Sequence, residues 1–218
     1  MRSDEADPGT VTGSWVLLVP VKSTRLGKSR IQLPPERRAR LARAMALDTV
    51  TAIASAAEVG RVIVLVDDER DGHLLASAGA VRAHRSAVTG LNATISEGLS
   101  LPEAAGRPVA VLPADLPSLR SDELDAALRA AAGVAFAVVA DRQGTGTTLL
   151  AARDRAMLQP RYGPGSFAAH VAAGAVPLVV PAESGLRRDV DVLEDLRGVT
   201  GPLTCAESGE LGTDTVAG

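Results

Sequence analysis

Long apolar runs recur along the first part of the chain and limit the folds that it can adopt. They lack the polar alternation of a half-exposed strand, which is typical of strands covered on both faces. The segments between them carry apolar residues at helical spacing, beginning with the helix that Pro34 and Pro35 open. The predicted strands lie at 15–21, 61–66, 108–113 and 134–140, with a weaker strand near Val81, and helices are predicted around Leu74, at 90–105 and at 121–132.

This strict alternation predicts an α/β fold with a mixed, mainly parallel sheet and helices on both faces. The alternation ends after Asp141, where extended segments at 147–152 and 176–180 predict some antiparallel pairing, followed by a short helix at 191–197. Ligands of such sheets bind at the carboxyl ends of the strands. Candidate site residues are therefore those that follow each predicted strand.

The chain has 218 residues, of which 46% are hydrophobic, and this fits one domain with a sizeable core. We expect that domain at 14–198. Both ends are polar and lack apolar periodicity, so we expect a flexible N-terminal segment at 1–13 and a flexible C-terminal tail at 199–218.

The composition argues against several kinds of partner. A net charge of -3 and an aromatic content of 2% provide neither the basic surface nor the stacking residues that nucleic-acid binding needs. The apolar runs are shorter than a membrane span, and the N-terminal residues lack the pattern of a signal peptide. Cys205 is the only cysteine, which excludes an internal disulfide. We expect a cytoplasmic protein with no nucleic-acid or membrane partner.

The loop after the first predicted strand holds both lysines of the chain. Only Lys22 and Lys28 among the 23 basic residues are lysines, and Arg25 lies between them. A compact, mobile ammonium suits phosphate neutralisation, and nucleotide phosphates bind at such strand ends. A solvated basic loop is the alternative. The segment 27–29, GKS, also resembles the end of a P-loop, but Lys22 occupies the position of its first glycine.

Asp115 is a candidate ligand of Mg²⁺. It follows the strand predicted at 108–113 and lies between two prolines, in the sequence PADLP. The alternative is a turn or helix-cap aspartate, but Ser121 and Asp122 can cap the next helix. A carboxylate at this strand end suits Mg²⁺, which takes one or two protein carboxylates together with phosphate oxygens and water.

Asp189 is the second candidate ligand. It lies two residues before Asp191, and Asp191 with Glu194 has the spacing of a capping box, which suffices to explain Asp191. Asp189 has no such structural role. Asp115 and Asp189 together would give Mg²⁺ two protein ligands, whereas a metal role for Asp191 is left open.

Two segments rich in glycine and hydroxyl residues, 141–150 and 161–170, could expose backbone amides to an anion. In the second, Ser166 is predicted to cap a helix, whose free N–H groups would bind phosphate or carboxylate. Ordinary turns are the alternative. His73, His84 and His170 are interpreted as structural.

Taken in order, these motifs resemble one family, the CofC/FbiD guanylyltransferases of coenzyme F-420 biosynthesis. The resemblance covers residues 15–197 and rests on several motifs that occur in the same order. It implies a single-domain Rossmann-like nucleotidyltransferase fold, related to that of the molybdenum cofactor guanylyltransferases. The motifs are VPVKSTRLGKSRI, AMALDT, PADLP, DRQGTGTTLL, RYGPGSFAAH and GLRRDVDVLEDL.

The resemblance implies that GMP is transferred from GTP to phosphoenolpyruvate, giving enolpyruvoyl-2-diphospho-5'-guanosine and pyrophosphate. The acceptor already carries an anionic phosphate oxygen, so catalysis needs in-line positioning and charge neutralisation without a general base. The implied site has four parts. The acid contacts Thr147, Gly163 and Ser166; Mg²⁺ binds Asp115 and Asp189; Lys22, Lys28 and Asp115 are catalytic; and Lys22, Arg25, Lys28, Asp67, Gly90 and Asn92 bind the nucleotide.

Several alternatives remain open. The acceptor could be 2-phospho-L-lactate or 3-phosphoglycerate, because such acids differ too little for the sequence to separate them. A non-catalytic GTP-binding regulatory module would keep the same fold without chemistry. The implied partners are GTP and a phosphorylated three-carbon acid. Hand-over of the labile product to the next pathway enzyme and a homodimer are also left open.

Overall fold

The first strand, β1 (Trp15–Val21), is buried along its whole length, in agreement with its uninterrupted apolar sequence. It lies at the centre of a seven-stranded sheet with the order β3-β2-β1-β4-β6-β5-β7. The structure is a computed structural model that describes residues 14–21, 31–78 and 81–213. The other strands are β2 (Val59–Val66), β3 (Val81–Arg85), β4 (Val109–Val111), β5 (Phe136–Ala140), β6 (Thr147–Ala152) and β7 (Val176–Pro177).

The sheet is mixed and mainly parallel, as predicted. Strands β3, β2, β1 and β4 pair in parallel, and β5 pairs in parallel with β7. Strand β6 runs antiparallel between β4 and β5, which confirms the predicted change after Asp141. Because β6 is reversed, its first residue, Thr147, pairs with Ala140 at the end of β5 and lies at the carboxyl edge of the other strands.

Helices cover both faces of the sheet. One face of β2, with Val62 and Val64, packs with α1, α2 and α4 in one core cluster, whereas Ile63 and Leu65 pack with α3 in a second cluster on the other face, against which Phe167 of α5 also packs. This division follows the alternation of side chains along a strand. The helices are α1 (Pro35–Ala54), α2 (Glu69–Ala76), α3 (Leu91–Ser100), α4 (Ser121–Ala132), α5 (Ser166–Ala172) and α6 (Pro202–Thr213).

The C-terminal segment differs from the flexible tail predicted at 199–218. Helix α6 packs on α1, and the Asp48 carboxylate of α1 accepts hydrogen bonds from the backbone N–H groups of Leu203 and Thr204 and from the Thr204 hydroxyl. This buried carboxylate caps the first turn of α6 from a distant part of the chain. The sequence did not indicate the helix at 202–213 because its stabilising partner is not local. The segments 1–13 and 214–218 lie outside the described residues.

Other boundaries are shorter than predicted. The strand expected at 176–180 is β7, only two residues long, and Val179 beyond it is fully exposed. The helix expected at 191–197 is a 3₁₀ turn over Leu193–Leu196, and the one expected at 90–105 is α3 followed by a 3₁₀ turn over Pro102–Ala104. In the part of the chain that the structure describes, no helix is long and apolar enough to cross a membrane.

Candidate active site

The carboxyl edge of the sheet gathers most of the predicted site residues that the structure describes. The loop after β4 carries Asp115, β5 ends before Asp141, and β6 begins with Thr147. Antiparallel β6 adds its amino end to the same edge, so three adjacent strands, β4, β6 and β5, contribute these residues. Lys22, Arg25 and Lys28, predicted to follow β1 at this edge, lie outside the described residues, and their roles stay predictions.

Asp115 is held in a loop that is fixed from two sides. On one side the buried Thr49 of α1 accepts a hydrogen bond from the N–H of Leu116 at 3.1 Å. On the other side the carbonyl of Asp115 accepts a hydrogen bond from the N–H of Val190 at 3.0 Å. The second bond brings the segment of Asp189 and Asp191 against the Asp115 loop, so the two predicted metal ligands belong to one local structure.

The half-buried Asp189 carboxyl lies in a strongly acidic environment. Burial, and then the negative charges of Asp115, Asp191 and Asp141, raise the pKa of Asp189 from 3.8 to about 7. A group of carboxylates whose charges raise the pKa of one member in this way favours a divalent cation between them. Within the described ranges, no group of three or more His, Cys, Asp or Glu side chains is placed to hold a metal ion.

The helix caps that follow Asp115 and Asp189 differ from those predicted. Glu123 accepts a hydrogen bond from the N–H of Arg120 at the start of α4, in place of a cap by Ser121 or Asp122. Asp195, and not Glu194, accepts a hydrogen bond from the N–H of Asp191, and it also accepts from the N–H of Val192. The residue before the 3₁₀ turn is Val192 and not Asp191, and the carboxylate of Asp191 lies close enough to raise the pKa of Asp189.

Asp141 organises the turn between β5 and β6. Its carboxylate accepts hydrogen bonds from the N–H groups of Thr145 and Gly146, at 2.9 and 2.8 Å. The backbone amides that the glycine-rich segment 141–150 was expected to offer to an anion are thus bound within the turn. Arg187 donates to the carbonyl of Asp141 at 2.9 Å and fixes this turn from the C-terminal side.

The three residues predicted to contact the acid come together beside α5. Thr147 and Ser166 are buried, and the Ser166 hydroxyl donates to the Thr147 hydroxyl at 3.2 Å. The carbonyl of Gly163 accepts from the N–H of Ser166 at 3.0 Å. Gly165, with a φ of 72°, is the residue before the helix, so Ser166 does not cap it as predicted. The side chain of Ser166 instead points to Thr147.

Asn92, predicted to bind the nucleotide, is engaged within the protein. Its side-chain amide donates to the carbonyl of Tyr162 at 2.9 Å and accepts from the N–H of Tyr162 at 2.8 Å. This pair joins the start of α3 to the segment 161–165. Gly90 precedes α3 with a φ of 95°, and Asp67 is exposed after β2; their predicted roles in nucleotide binding are untested.

Sequence reasoning missed two residues of this region. Tyr162 has a buried hydroxyl with no hydrogen-bond partner in the described part of the chain, and burial, with the charge of Asp115 nearby, raises its pKa. His170, interpreted from the sequence as structural, hydrogen-bonds Thr147 at 2.9 Å. The sequence signal for His170 was its position four residues after Ser166, which places both on one face of α5.

Two solved structures with this architecture are described as transferases. A protein of Desulfovibrio desulfuricans G20, described as a nucleotide-diphospho-sugar transferase, superposes with a TM-score of 0.70 at 16% identity, over 92% of this chain and 96% of that one. A nucleotidyl transferase of Methanothermobacter superposes with a TM-score of 0.58 at 19% identity, over 91% and 98%. At this identity the likeness defines the fold, which is that of the Rossmann-like nucleotidyltransferases.

Within that class the chain belongs to the family of CofC-like guanylyl transferases, whose model matches residues 15–177. The phosphoenolpyruvate guanylyltransferase of Thermomonospora curvata is 44% identical over 202 residues, which cover 88% of each chain. The phosphoenolpyruvate guanylyltransferase of Streptomyces coelicolor is 40% identical over 205 residues, covering 90% of this chain and 97% of the relative. The predicted family is confirmed, and the chain is a nucleotidyltransferase.

Proposed function

We propose that this protein transfers GMP from GTP to phosphoenolpyruvate, giving enolpyruvoyl-2-diphospho-5'-guanosine and pyrophosphate, as a step of coenzyme F-420 biosynthesis. Relatives that match nearly all of the chain carry the name of this activity. The observation that carries the proposal is that one sheet edge holds the Asp115 and Asp189 carboxylates and the Thr147 and Ser166 hydroxyls. These are groups for a cation and for a small anion, respectively.

The acid subsite is formed by Thr147, Ser166 and the exposed turn at Gly163. Both hydroxyls are fixed by hydrogen bonds from or to neighbours, so they would meet an incoming phosphate or carboxylate without first being ordered. Gly163 has a φ of 144°, which a side chain would disfavour, and the glycine keeps the approach to this turn open. A three-carbon acid is small enough to be held by these few groups.

Asp115 and Asp189 fit a site for Mg²⁺. Their carboxylates raise the local negative charge, as the high pKa of Asp189 indicates, and carboxylate oxygens are the ligands that this ion prefers. Two protein carboxylates leave positions for phosphate oxygens, which agrees with the lack of a self-sufficient metal cluster in the described ranges. When bound, Mg²⁺ supplies positive charge to the phosphates that gain negative charge during transfer.

The protein's own part in the reaction is to position two anions that repel each other. The acceptor phosphate oxygen attacks the α-phosphorus of GTP, a bond to that phosphorus forms, and the bond to the pyrophosphate oxygen breaks in line with it. No proton has to be removed from the acceptor, so the neutral, buried His170 is not required as a base. Positioning by Thr147 and Ser166 lowers the barrier chiefly by orientation.

The two lysines complete the proposal on the nucleotide side. We assign Lys22 and Lys28 to the triphosphate because they follow β1 in the sequence, and the carboxyl end of β1 belongs to the same sheet edge. Lys22→Arg and Lys28→Arg keep the charge but replace a compact ammonium with a planar guanidinium, and each should lower kcat by about tenfold or more. Arg153→Lys, at an exposed position outside the proposed site, is the control. Full activity of both lysine variants would remove the pair from the site.

The test of the function is pyrophosphate release from GTP with phosphoenolpyruvate, 2-phospho-L-lactate or 3-phosphoglycerate, each with and without Mg²⁺. We expect release to depend on Mg²⁺ and to be fastest with phosphoenolpyruvate. Faster release with another acid would change the acceptor and keep the class of reaction. GTP binding without release under any condition would indicate a regulatory module. Hand-over of the product, a homodimer and a cytoplasmic location stay predictions.

A further inference from the structure

Both ring nitrogens of the fully buried His170 are engaged. The backbone N–H of Arg161 donates a hydrogen bond to Nε2 at 2.9 Å, so Nε2 carries no proton. The ring proton of the neutral imidazole must then lie on Nδ1, which is 2.9 Å from the Thr147 hydroxyl oxygen. The fold thereby selects one tautomer of His170, in which Nδ1–H donates to Thr147.

Two further features hold this ring in place. The ring of Tyr162 packs edge-on against it, with 5.2 Å between the ring centroids and an angle of 71° between the planes. Burial, and then the positive charge of Arg161, lower the pKa of His170 to about 4. The imidazole is therefore neutral at physiological pH, and its Nδ1–H is a fixed donor.

The hydroxyl of Thr147 can form only one further hydrogen bond, as a donor. Its oxygen accepts from Nδ1–H of His170 and from the hydroxyl of Ser166, at 2.9 and 3.2 Å, and these two bonds use both of its lone pairs. Its own proton can therefore only be donated to a third group. No acceptor for that proton is found in the described ranges of the chain, and Thr147 lies at the sheet edge of the acid subsite.

We propose that His170 is a positioning residue of the acid subsite, which, by donating from Nδ1 to Thr147, directs the Thr147 hydroxyl proton toward an anionic oxygen of the acceptor acid. The inference rests on the proposed function, because it assigns the acid to Thr147 and Ser166. It extends the site to a residue that does not itself contact the substrate. The backbone of Arg161 fixes the tautomer, and the Tyr162 ring fixes the plane of the imidazole.

Two substitutions of His170 separate the two ring nitrogens. In His170→Asn the side-chain amide can replace Nδ1–H as the donor to Thr147, whereas in His170→Gln the longer side chain can replace Nε2 as the acceptor from Arg161. We expect His170→Gln to raise the KM of the acid by about tenfold or more, with the KM of GTP changed less than about twofold. His170→Asn should stay within about threefold of the wild-type KM for the acid.

The readout is the split between the two KM values, because a merely structural role would affect acid and GTP alike. Urea unfolding of both variants shows that the comparison is made on folded protein. In the Thr147→Val background, His170→Gln should give no further rise in the KM of the acid. Equal effects on acid and GTP, or an undiminished rise in the Thr147→Val background, would overturn the positioning role.

A measurement that needs no activity keeps this inference separate from the proposed function. Nitrogen NMR of the histidine rings at neutral pH, with the His170 signals assigned from the His170→Gln variant, reports the tautomer directly. We expect a protonated Nδ1 and an unprotonated Nε2. The opposite tautomer would overturn the inference even if the enzyme transfers GMP. The expected tautomer in a protein that releases no pyrophosphate would leave Thr147 a positioned donor and reject the function alone.

Discussion

Asp189 lies in an environment that disfavours its ionised form, and this lowers the stability of the folded protein at high pH. The carboxyl is half-buried near three other aspartates, and the resulting rise of its pKa to about 7 means that the folded protein resists its ionisation. An aspartate with a higher pKa in the folded than in the unfolded state binds more protons when folded. Its contribution is most favourable below its ordinary pKa of 3.8 and is lost as the pH rises through about 7.

Asp189→Asn should therefore stabilise the metal-free protein at high pH. We expect a rise in the free energy of unfolding of roughly 1–3 kcal/mol at about pH 8 and little change near pH 4, where the wild-type carboxyl binds its proton. Urea unfolding at both values measures this. Glu183→Gln, at an exposed position, is the matched control and should change stability at neither pH.

The same variant tests the metal ligands. Mg²⁺ should raise the urea midpoint of the wild type at about pH 8, because an ion that binds the folded state alone stabilises it. The shift of the urea midpoint should be lost in Asp189→Asn and in Asp115→Asn. Asp115→Asn should also lose most turnover. An undiminished shift in both variants would contradict their assignment as ligands.

At the scale of elements, Glu97 attaches the edge strand β3 to α3. Its carboxylate accepts hydrogen bonds from the Ser86 hydroxyl at 2.6 Å and from the N–H of Ala87, and it contacts His84 at 3.1 Å. These bonds, with that of Ser86 the largest cause, lower the pKa of Glu97 from 4.5 to about 2. The stabilisation is present above about pH 4.5 and is lost as the pH falls through about 2.

Glu97→Gln should destabilise the protein by about 1–2 kcal/mol at neutral pH, because an amide is a weaker acceptor for these donors. The difference from the wild type should shrink as the pH approaches 2, where the wild-type carboxylate itself is being protonated. Unfolding by urea across this range measures the effect. A difference that stays constant with pH would show that the charge of Glu97 does not contribute.

Helix α6 depends on a contact with α1 that is distant in sequence. The buried Asp48 carboxylate accepts hydrogen bonds from the N–H and hydroxyl of Thr204, at 2.8 and 2.7 Å. Asp48→Ala should lower the free energy of unfolding by about 2 kcal/mol and speed hydrogen exchange of the amides in α6. Glu194→Ala, on the exposed side of a 3₁₀ turn, is the control. Unchanged exchange in α6 would contradict the capping role of Asp48.

The sequence was most informative where an element is determined by its own residues. The bounds of β1 and α4 were predicted correctly, because β1 is apolar throughout and α4 has an apolar face between clear ends. Predictions failed where a partner is remote or where similar carboxylates compete. Asp48 lies over 150 positions from the helix that it caps, and Asp195 accepts the hydrogen bond from the N–H of Asp191 that was expected to go to Glu194. The role of His170 was missed because its partner, Thr147, is also remote in sequence and lies on another element.

At the scale of the whole molecule, the topology explains why dispersed motifs form one site. Insertion of the antiparallel strand β6 between β4 and β5 brings Thr147 to the edge where Asp115 and Asp141 follow their strands. The bond between Val190 and Asp115 adds the C-terminal segment with Asp189. The motif order was recognisable in the sequence, but the contacts that join the motifs depend on this strand order.

The central claim is that this edge joins GMP to a phosphorylated acid. The most direct measurement follows GTP labelled in its α-phosphate, incubated with phosphoenolpyruvate and Mg²⁺, and identifies the labelled products by mass. We predict that the label appears in a guanosine diphospho-linked acid in an amount equal to the unlabelled pyrophosphate released, and that Ser166→Ala raises the KM of the acid more than that of GTP. Label recovered only in GTP, or in GDP or GMP without the acid, would contradict the account.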